Sequence, residues 1–276
     1  MTAIHVFLAL AAAALSPGAG IPAFLALAGL AAIACTAIIA VMACLYGALN
    51  RAYPERRIQK QRDNDHVRAE MLRAPVSVAV ISVAFAGGLF IQGQGWALTP
   101  LPISWWSVPL MAAASVIAYD TWFYWIHRLL HWKPMYRFHA LHHTSIAPTI
   151  WTHHYETLVE ATFNQLFYVL IVFVLPVPWP ALVIHRIYDQ VSGMVGHSGF
   201  EHFASPIGRT PWPFASTIFH DQHHGYFRFN FAHSFSLWDR LMGTLHPRYD
   251  TTVADFEQII AGTVPPAKPM ATPSAD

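Results

Sequence analysis

Charge is scarce in this chain of 276 residues: Asp, Glu, Lys and Arg together make up 11% of it, against roughly 25% in soluble domains. With 55% hydrophobic residues and a positive mean hydropathy, composition assigns the chain to a membrane. A net charge of +1 and the lack of a basic patch interleaved with aromatics argue against a nucleic-acid partner. Only two cysteines occur, Cys35 and Cys44, nine apart in one apolar run. They read as small apolar residues rather than as a disulfide or a metal pair. His-Glu-x-x-His, the string of zinc hydrolases, is missing. So are a Gly-x-Gly-x-x-Gly dinucleotide fingerprint and a His-Pro-Gly-Gly haem-domain signature.

What the chain does have is long apolar runs. Residues 3–15 are too short to span and lack the basic start of a signal peptide, so they read as an interfacial or half-buried helix. Residues 21–49 are uncharged and long enough for about 43 Å of helix at roughly 1.5 Å per residue. The segment from Arg51 to Arg73 carries seven basic residues, which places it in the cytoplasm by the positive-inside rule. Further spans are expected at about 75–92 and 104–126, separated by a loop without Lys or Arg. Residues 157–175 and 181–195, parted by Pro176, Pro178 and Pro180, predict a spanning or re-entrant hairpin. The expectation is an all-α integral-membrane bundle of about four spanning helices, or three plus a re-entrant hairpin, under a cytoplasmic histidine-rich helical cap. Residues 1–119 form its membrane helices and basic loop, continuous with a histidine-rich region at 120–247. Residues 248–276 read as a tail.

Histidine is abundant, at 17 residues, and its spacing is regular. His127 and His131 are four apart, His139, His142 and His143 fall at i, i+3 and i+4, and His220, His223 and His224 repeat that triplet. On helices each group projects imidazoles from one face, where two or three can converge on a transition metal. Eight such ligands exceed the needs of one zinc ion and fit two metals better, and the clusters contain no thiolate for structural zinc or an iron–sulfur centre. Imidazole suits zinc and iron alike. Asp120 lies on one helical stripe with Tyr124, His127 and His131, where its carboxylate is expected to accept a hydrogen bond from a ligand imidazole. Glu156, three residues after His153, is a second such carboxylate. His154 and His202 read as ordinary hydrogen-bonded and solvent-facing polar residues.

HRLLH at 127–131, HALHH at 139–143, HHYE at 153–156, GHSG at 196–199, HDQHHGYFRFNF at 220–231 and WDRLMGT at 238–244 together resemble the fatty acid hydroxylase and sterol desaturase superfamily of membrane di-iron enzymes. The resemblance implies two iron ions held by His127, His131, His139, His142, His143, His220, His223 and His224. His153 and His197 are implied as further ligands or close neighbours. It also implies dioxygen as co-substrate, a lipid substrate in the bilayer, and electrons from a separate reductase with a ferredoxin- or cytochrome-type carrier. Where the family commonly has His-Pro-x-Glu, this chain has His153, His154, Tyr155 and Glu156. Asp239 and Arg240 read as an ion pair or cap contact beneath the site. A hydroxylase is the expected activity. A desaturase on the same site is the alternative, and a metal-binding or transport protein the more distant one, disfavoured because spans 21–49 and 75–92 carry no charge.

Overall fold

A computed structural model describes residues 5, 6, 9 and 12–263, so most of the expected helix at 3–15 and the tail beyond 263 lie outside the described residues. Eight α-helices are numbered here. Helices α1 (Ile21–Ala52), α2 (Val67–Gly93) and α3 (Ser107–Leu130) are long. They are followed by a hairpin of α4 (Leu158–Leu170) and α5 (Trp179–Gly196), then by α6 (Thr217–Tyr226), α7 (Leu237–Leu241) and α8 (Tyr249–Ile260). No strand occurs among the described residues, only two isolated bridges.

Helices α1 and α2 are long and apolar enough to cross a membrane. Their outer faces carry exposed Ile21, Leu25, Ile33, Val41, Leu72 and Val83, a continuous apolar surface of the kind that needs a non-aqueous neighbour. The second helix starts earlier than its apolar run and takes in Arg68, Glu70 and Arg73 as its first turns. Helix α4 has 13 residues, about 20 Å, which is short against a hydrocarbon core of ~30 Å.

Helix α2 packs on α1 and α4, and α3 on α5. The first core joins Phe85 and Leu89 of α2, Tyr119 of α3, Phe167 and Tyr168 of α4, and Leu182 of α5. Gly88 makes the α2–α4 approach possible, because a Cβ there would stand 2.0 Å from the Tyr168 carbonyl oxygen. A second core beneath the cap holds Tyr124, Ile218, Phe219, Phe231, Tyr249, Val253 and Phe256. The segment read as a tail from residue 248 thus begins with a helix. Its buried Val253 and Phe256 pack under α6, because an apolar residue every third or fourth position gives α8 one buried face.

The basic loop after α1 folds onto the histidine-rich region: the Ile58 amide donates to the Gly199 carbonyl at 3.0 Å and the Glu201 amide to the Arg56 carbonyl at 3.0 Å. Loop and histidines therefore share one side of the bundle.

Candidate metal centre

Helix α3 delivers Asp120, Tyr124 and His127 as one buried stripe and ends with His131 at its C-cap. The triplet 220, 223, 224 is helical as expected, on α6. The triplet 139, 142, 143 is not. It lies on turns and two 3-10 helices, Tyr136–Phe138 and His142–Thr144. Pro134 follows the end of α3 and prevents a continuous helix through this stretch. His139 and His143 join one set of histidines and His142 another.

The histidines converge in two groups. His127, His131, His139, His143 and His223 form the first, and His142, His197, His220 and His224 the second; within each group the nearest ring nitrogens all lie within 4.8 Å of one another. Both triplets are therefore split, each giving imidazoles to both groups. In the first, Nε2 to Nε2 distances are 3.1 Å for His127–His139, 3.2 Å for His131–His223 and 3.1 Å for His143–His223. In the second they are 3.2 Å for His142–His197 and 2.8 Å for His197–His220.

Tautomers decide what such contacts mean. His127 Nδ1 donates to the Phe231 carbonyl at 2.7 Å, His139 Nδ1 to Glu160 Oε1 at 2.7 Å, and His223 Nδ1 to the Phe229 carbonyl at 2.6 Å. In the second group His142 donates to the Tyr155 carbonyl at 3.3 Å, His197 to that of Gly193 at 2.7 Å and His224 to that of Ser145 at 3.0 Å. Each of these rings is left with a bare lone pair on Nε2. His127 and His139 then face each other with two acceptors and no proton, as do His142 and His197. The Nε2 of His224 is buried without any partner. Acceptors cannot bond one another, but a cation between them satisfies all of them. Two imidazoles at right angles on one ion, with bonds of ~2.1 Å, put their nitrogens about 3 Å apart. The residues fit a metal in each group. Burial first, and the His142 imidazole second, lower the pKa of His131 to about 3, and burial lowers that of His142 to about 4. At neutral pH both rings are uncharged and free to ligate.

His153 stands outside both groups, its ring 5.5 Å from that of His197. It lies against Gly193, where a Cβ would come within 2.2 Å of the ring. His154 is an ordinary buried histidine, hydrogen-bonded to Ser77 Oγ at 3.2 Å and Gln190 Nε2 at 2.9 Å. His202 is buried rather than solvent-facing, bonded to Asn50 Oδ1 at 2.8 Å and set against the rings of Tyr46 and Tyr53 at the end of α1.

The carboxylates differ from expectation. Asp120 accepts no imidazole; its Oδ1 takes the main-chain amides of His233, Ser234 and Phe235 at 3.2, 2.6 and 3.1 Å. Those amides belong to an irregular segment whose isolated bridge to Phe214 leaves them without a main-chain acceptor. Glu156 accepts from Ser77 Oγ at 2.6 Å and touches no clustered histidine among the described hydrogen bonds. The carboxylate that does hold a ligand ring is Glu160, one turn later. Thr157-x-x-Glu160 is half of a capping box, in which the Thr157 hydroxyl accepts from the Glu160 amide at 3.2 Å, a signal for the start of α4 but not for the contact with His139. Asp239 and Arg240 do not pair with each other. Arg240 bonds Asp250 at 2.6 Å, while Asp239 accepts the amides of Phe231 and Ala232 at 2.8 and 2.9 Å. Glu70 was not anticipated either. It accepts from Ser145, Thr149 and Thr152 hydroxyls at 2.6, 2.7 and 2.7 Å, fixing the loop whose Ser145 carbonyl holds His224.

The sequence model of the fatty acid hydroxylase family matches residues 112–244. Among curated proteins, the chain is 33% identical over 147 residues to methylsterol monooxygenase 1 of Gallus gallus, covering 51% of this chain and 47% of the relative. It is 33% identical over 138 residues to a methylsterol monooxygenase of Aspergillus fumigatus, with coverage of 46% and 43%. A Delta(7)-sterol 5(6)-desaturase of Leptosphaeria maculans is 25% identical over 183 residues, with coverage of 64% and 50%. The chain spans about half the length of the curated relatives it matches. No solved structure matches it significantly. The matched stretch holds both histidine groups and the segment that orients them, and the family model and the curated relatives together support a likeness to the fatty acid hydroxylase and sterol desaturase superfamily.

Proposed function

We propose that the protein is a multi-pass membrane oxidoreductase that holds two iron ions in its two histidine groups and hydroxylates a lipid with dioxygen. The observation that carries the reading is the pair of buried groups in which acceptor-only nitrogens face each other about 3 Å apart, a geometry that two cations resolve. Iron bound there supplies the dioxygen activation needed to break an unactivated C–H bond. The chain's own part is positional. Main-chain carbonyls of Phe231, Phe229, Tyr155, Gly193 and Ser145, with Glu160, fix each ring's tautomer and direction, and such outer partners raise ligand basicity. Burial of the groups excludes bulk water, which protects a reactive oxidant from side reactions.

The apolar outer faces of α1 and α2 support a bilayer setting. The basic loop on the same side as the histidines supports a cytoplasmic site, where an electron-carrying reductase system has access. The ten proposed ligands or close neighbours are His127, His131, His139, His142, His143, His153, His197, His220, His223 and His224. Desaturation starts from the same hydrogen abstraction, and the desaturase among the relatives keeps it as the second reading.

Elemental analysis of detergent-purified protein, alongside a His142→Ala, His223→Ala variant with one substitution in each group, tests the reading. About two irons per chain, lost in the variant, are expected from ligand sets of this size. One zinc per chain, or metal indifferent to the variant, overturns it. Lipid products bearing a new hydroxyl group support hydroxylase over desaturase.

A further inference from the structure

The loop after α1 and the first turn of α2 lie outside residues 112–244, the stretch that the family model matches. They nevertheless reach the candidate metal centre, at one group and not the other. Glu70 is fully buried in the first turn of α2. It accepts from four donors: Asn64 Nδ2 at 2.8 Å and the hydroxyls of Ser145, Thr149 and Thr152 at 2.6, 2.7 and 2.7 Å. None of the four is a cation, so the buried carboxylate depends on all of them to replace its hydration. Residues 145–152 are thereby held in the turn that presents the hydroxyls. Ser145 faces both ways: its hydroxyl goes to Glu70, and its carbonyl accepts from His224 Nδ1 at 3.0 Å.

Gln59 makes a second tie. Its side-chain amide donates to the Ile146 carbonyl at 2.9 Å and to Asp221 Oδ1 at 3.0 Å. It therefore joins the residue after Ser145 to the residue after His220, and both stretches carry or orient rings of the second group. The first group is backed differently. His127, His139 and His223 are oriented by Phe231, Glu160 and Phe229, all inside the matched stretch. Among the described hydrogen bonds, none links residues 51–77 to a ring of that group or to these three partners. His143 lies two residues before Ser145, but three other rings of its group are oriented from elsewhere.

We infer that Glu70 and Gln59 are positioning residues for the second metal pocket and not for the first, so that the metal-holding unit of this chain extends back to the loop after α1. The inference rests on the reading of both groups as metal pockets. Neither residue touches a ligand ring among the described hydrogen bonds. Glu70 acts through Ser145 on His224, and Gln59 sets Ile146 against α6, the helix that carries His220 and His224. Without these ties the His224 ring and the turn beneath it can swing away from the other donors, and a looser donor set binds its ion less tightly.

The test is a cobalt(II) titration of the metal-stripped, full-length protein in detergent, in competition with a chelator. Wild type is expected to bind two equivalents. Gln59→Leu, which keeps most of the side-chain volume but has no donor, and Glu70→Ala are each expected to weaken one equivalent about tenfold and leave the other within about twofold. Glu70→Gln, which retains an acceptor oxygen, is expected to fall between Glu70→Ala and wild type. Adding His131→Ala or His197→Ala assigns the weakened site. Gln59→Leu is expected to lower the affinity of the pocket that survives His131→Ala and to spare the one that survives His197→Ala. Two equivalents that weaken together, as general destabilisation would produce, overturn the inference, and so do two equivalents that ignore Gln59→Leu. Gln59 is only half-buried, so its variant stays readable if Glu70→Ala does not fold. Wild type that takes up one cobalt or none sinks the two-metal reading and the inference with it; the other adverse outcomes sink the inference alone.

Discussion

Asp239 and His127 are joined through one residue: the Phe231 amide donates to Asp239 Oδ1 at 2.8 Å, and the Phe231 carbonyl accepts from His127 Nδ1 at 2.7 Å. Asp120 extends the clamp along the next three amides. Two aspartates thus hold five consecutive N–H groups of residues 231–235, and that stiffened segment aims a ligand ring. Asp239→Ala leaves buried amides without an acceptor and is expected to cost about 3 kcal/mol or more. A thermal shift in detergent reads the stability, and elemental analysis of the same variant is expected to show weakened metal retention. A variant with wild-type stability and full metal would contradict the clamp.

Glu160 acts on His139 directly, at 2.7 Å. Glu160→Gln keeps the volume but removes the charge, and is expected to lower metal affinity about 10- to 100-fold, as for other outer partners of ligand histidines. Competition against a chelator measures it. Glu156→Gln, whose carboxylate touches Ser77 rather than a clustered ring, should leave that affinity within about twofold by the same reasoning.

The two groups predict separable losses. His131→Ala removes a ring of the first group only, and His197→Ala one of the second only. Each is expected to retain about one of two irons per chain, since the other donor set is untouched. Loss of both metals in either variant would show that the groups bind as a unit.

Gly88 tests the packing that carries the site. Gly88→Ala drives a methyl group into the Tyr168 carbonyl, and rigid main chain cannot give way as a side chain can. The expected cost is about 1 to 3 kcal/mol, read as a lower melting temperature. Ala86→Gly on the same helix is the comparison, destabilising through lost burial and helix propensity alone.

Burial, with the Arg186 charge adding to it and Asp189 opposing, lowers the pKa of His154 to about 3. The unfolded chain, near the ordinary value of ~6.5, binds the proton more readily, so stability falls as pH drops from ~6.5 towards 3. His154→Gln is expected to flatten part of that decline in a denaturation series across pH. An unchanged slope would mean that His154 is protonated in the fold.

Much of this was legible in the sequence because its signals are local. Apolar runs located α1 and α2 to within a few residues at most ends, and histidine spacing identified eight of the nine grouped imidazoles, the ninth, His197, coming from the family resemblance. What spacing could not tell was their partition. Only tertiary structure reveals that His142 parts from His139 and His143, and His223 from His220 and His224, since this depends on which elements pack around each ring. Asp120 shares a helical stripe with His127 and His131, but its partners are amides more than a hundred residues away. Glu160 and Glu70 were overlooked for the same reason, as a carboxylate's partner cannot be read from its neighbours. His202 reads as solvent-facing from its neighbours in sequence, whereas its cover comes from the distant end of α1.

The partition also imposes an order on assembly. Four of the first group's five rings come from the single stretch between residues 127 and 143, whereas the second gathers His142, His197, His220 and His224 from three separate parts of the chain. As the chain emerges during synthesis, the first pocket has most of its donors before α6 exists. The second has only His142 and His197 until that helix docks. The two pockets are therefore completed in a fixed order, the first gathering its donors ahead of the second, and that order is written into the connectivity of the chain.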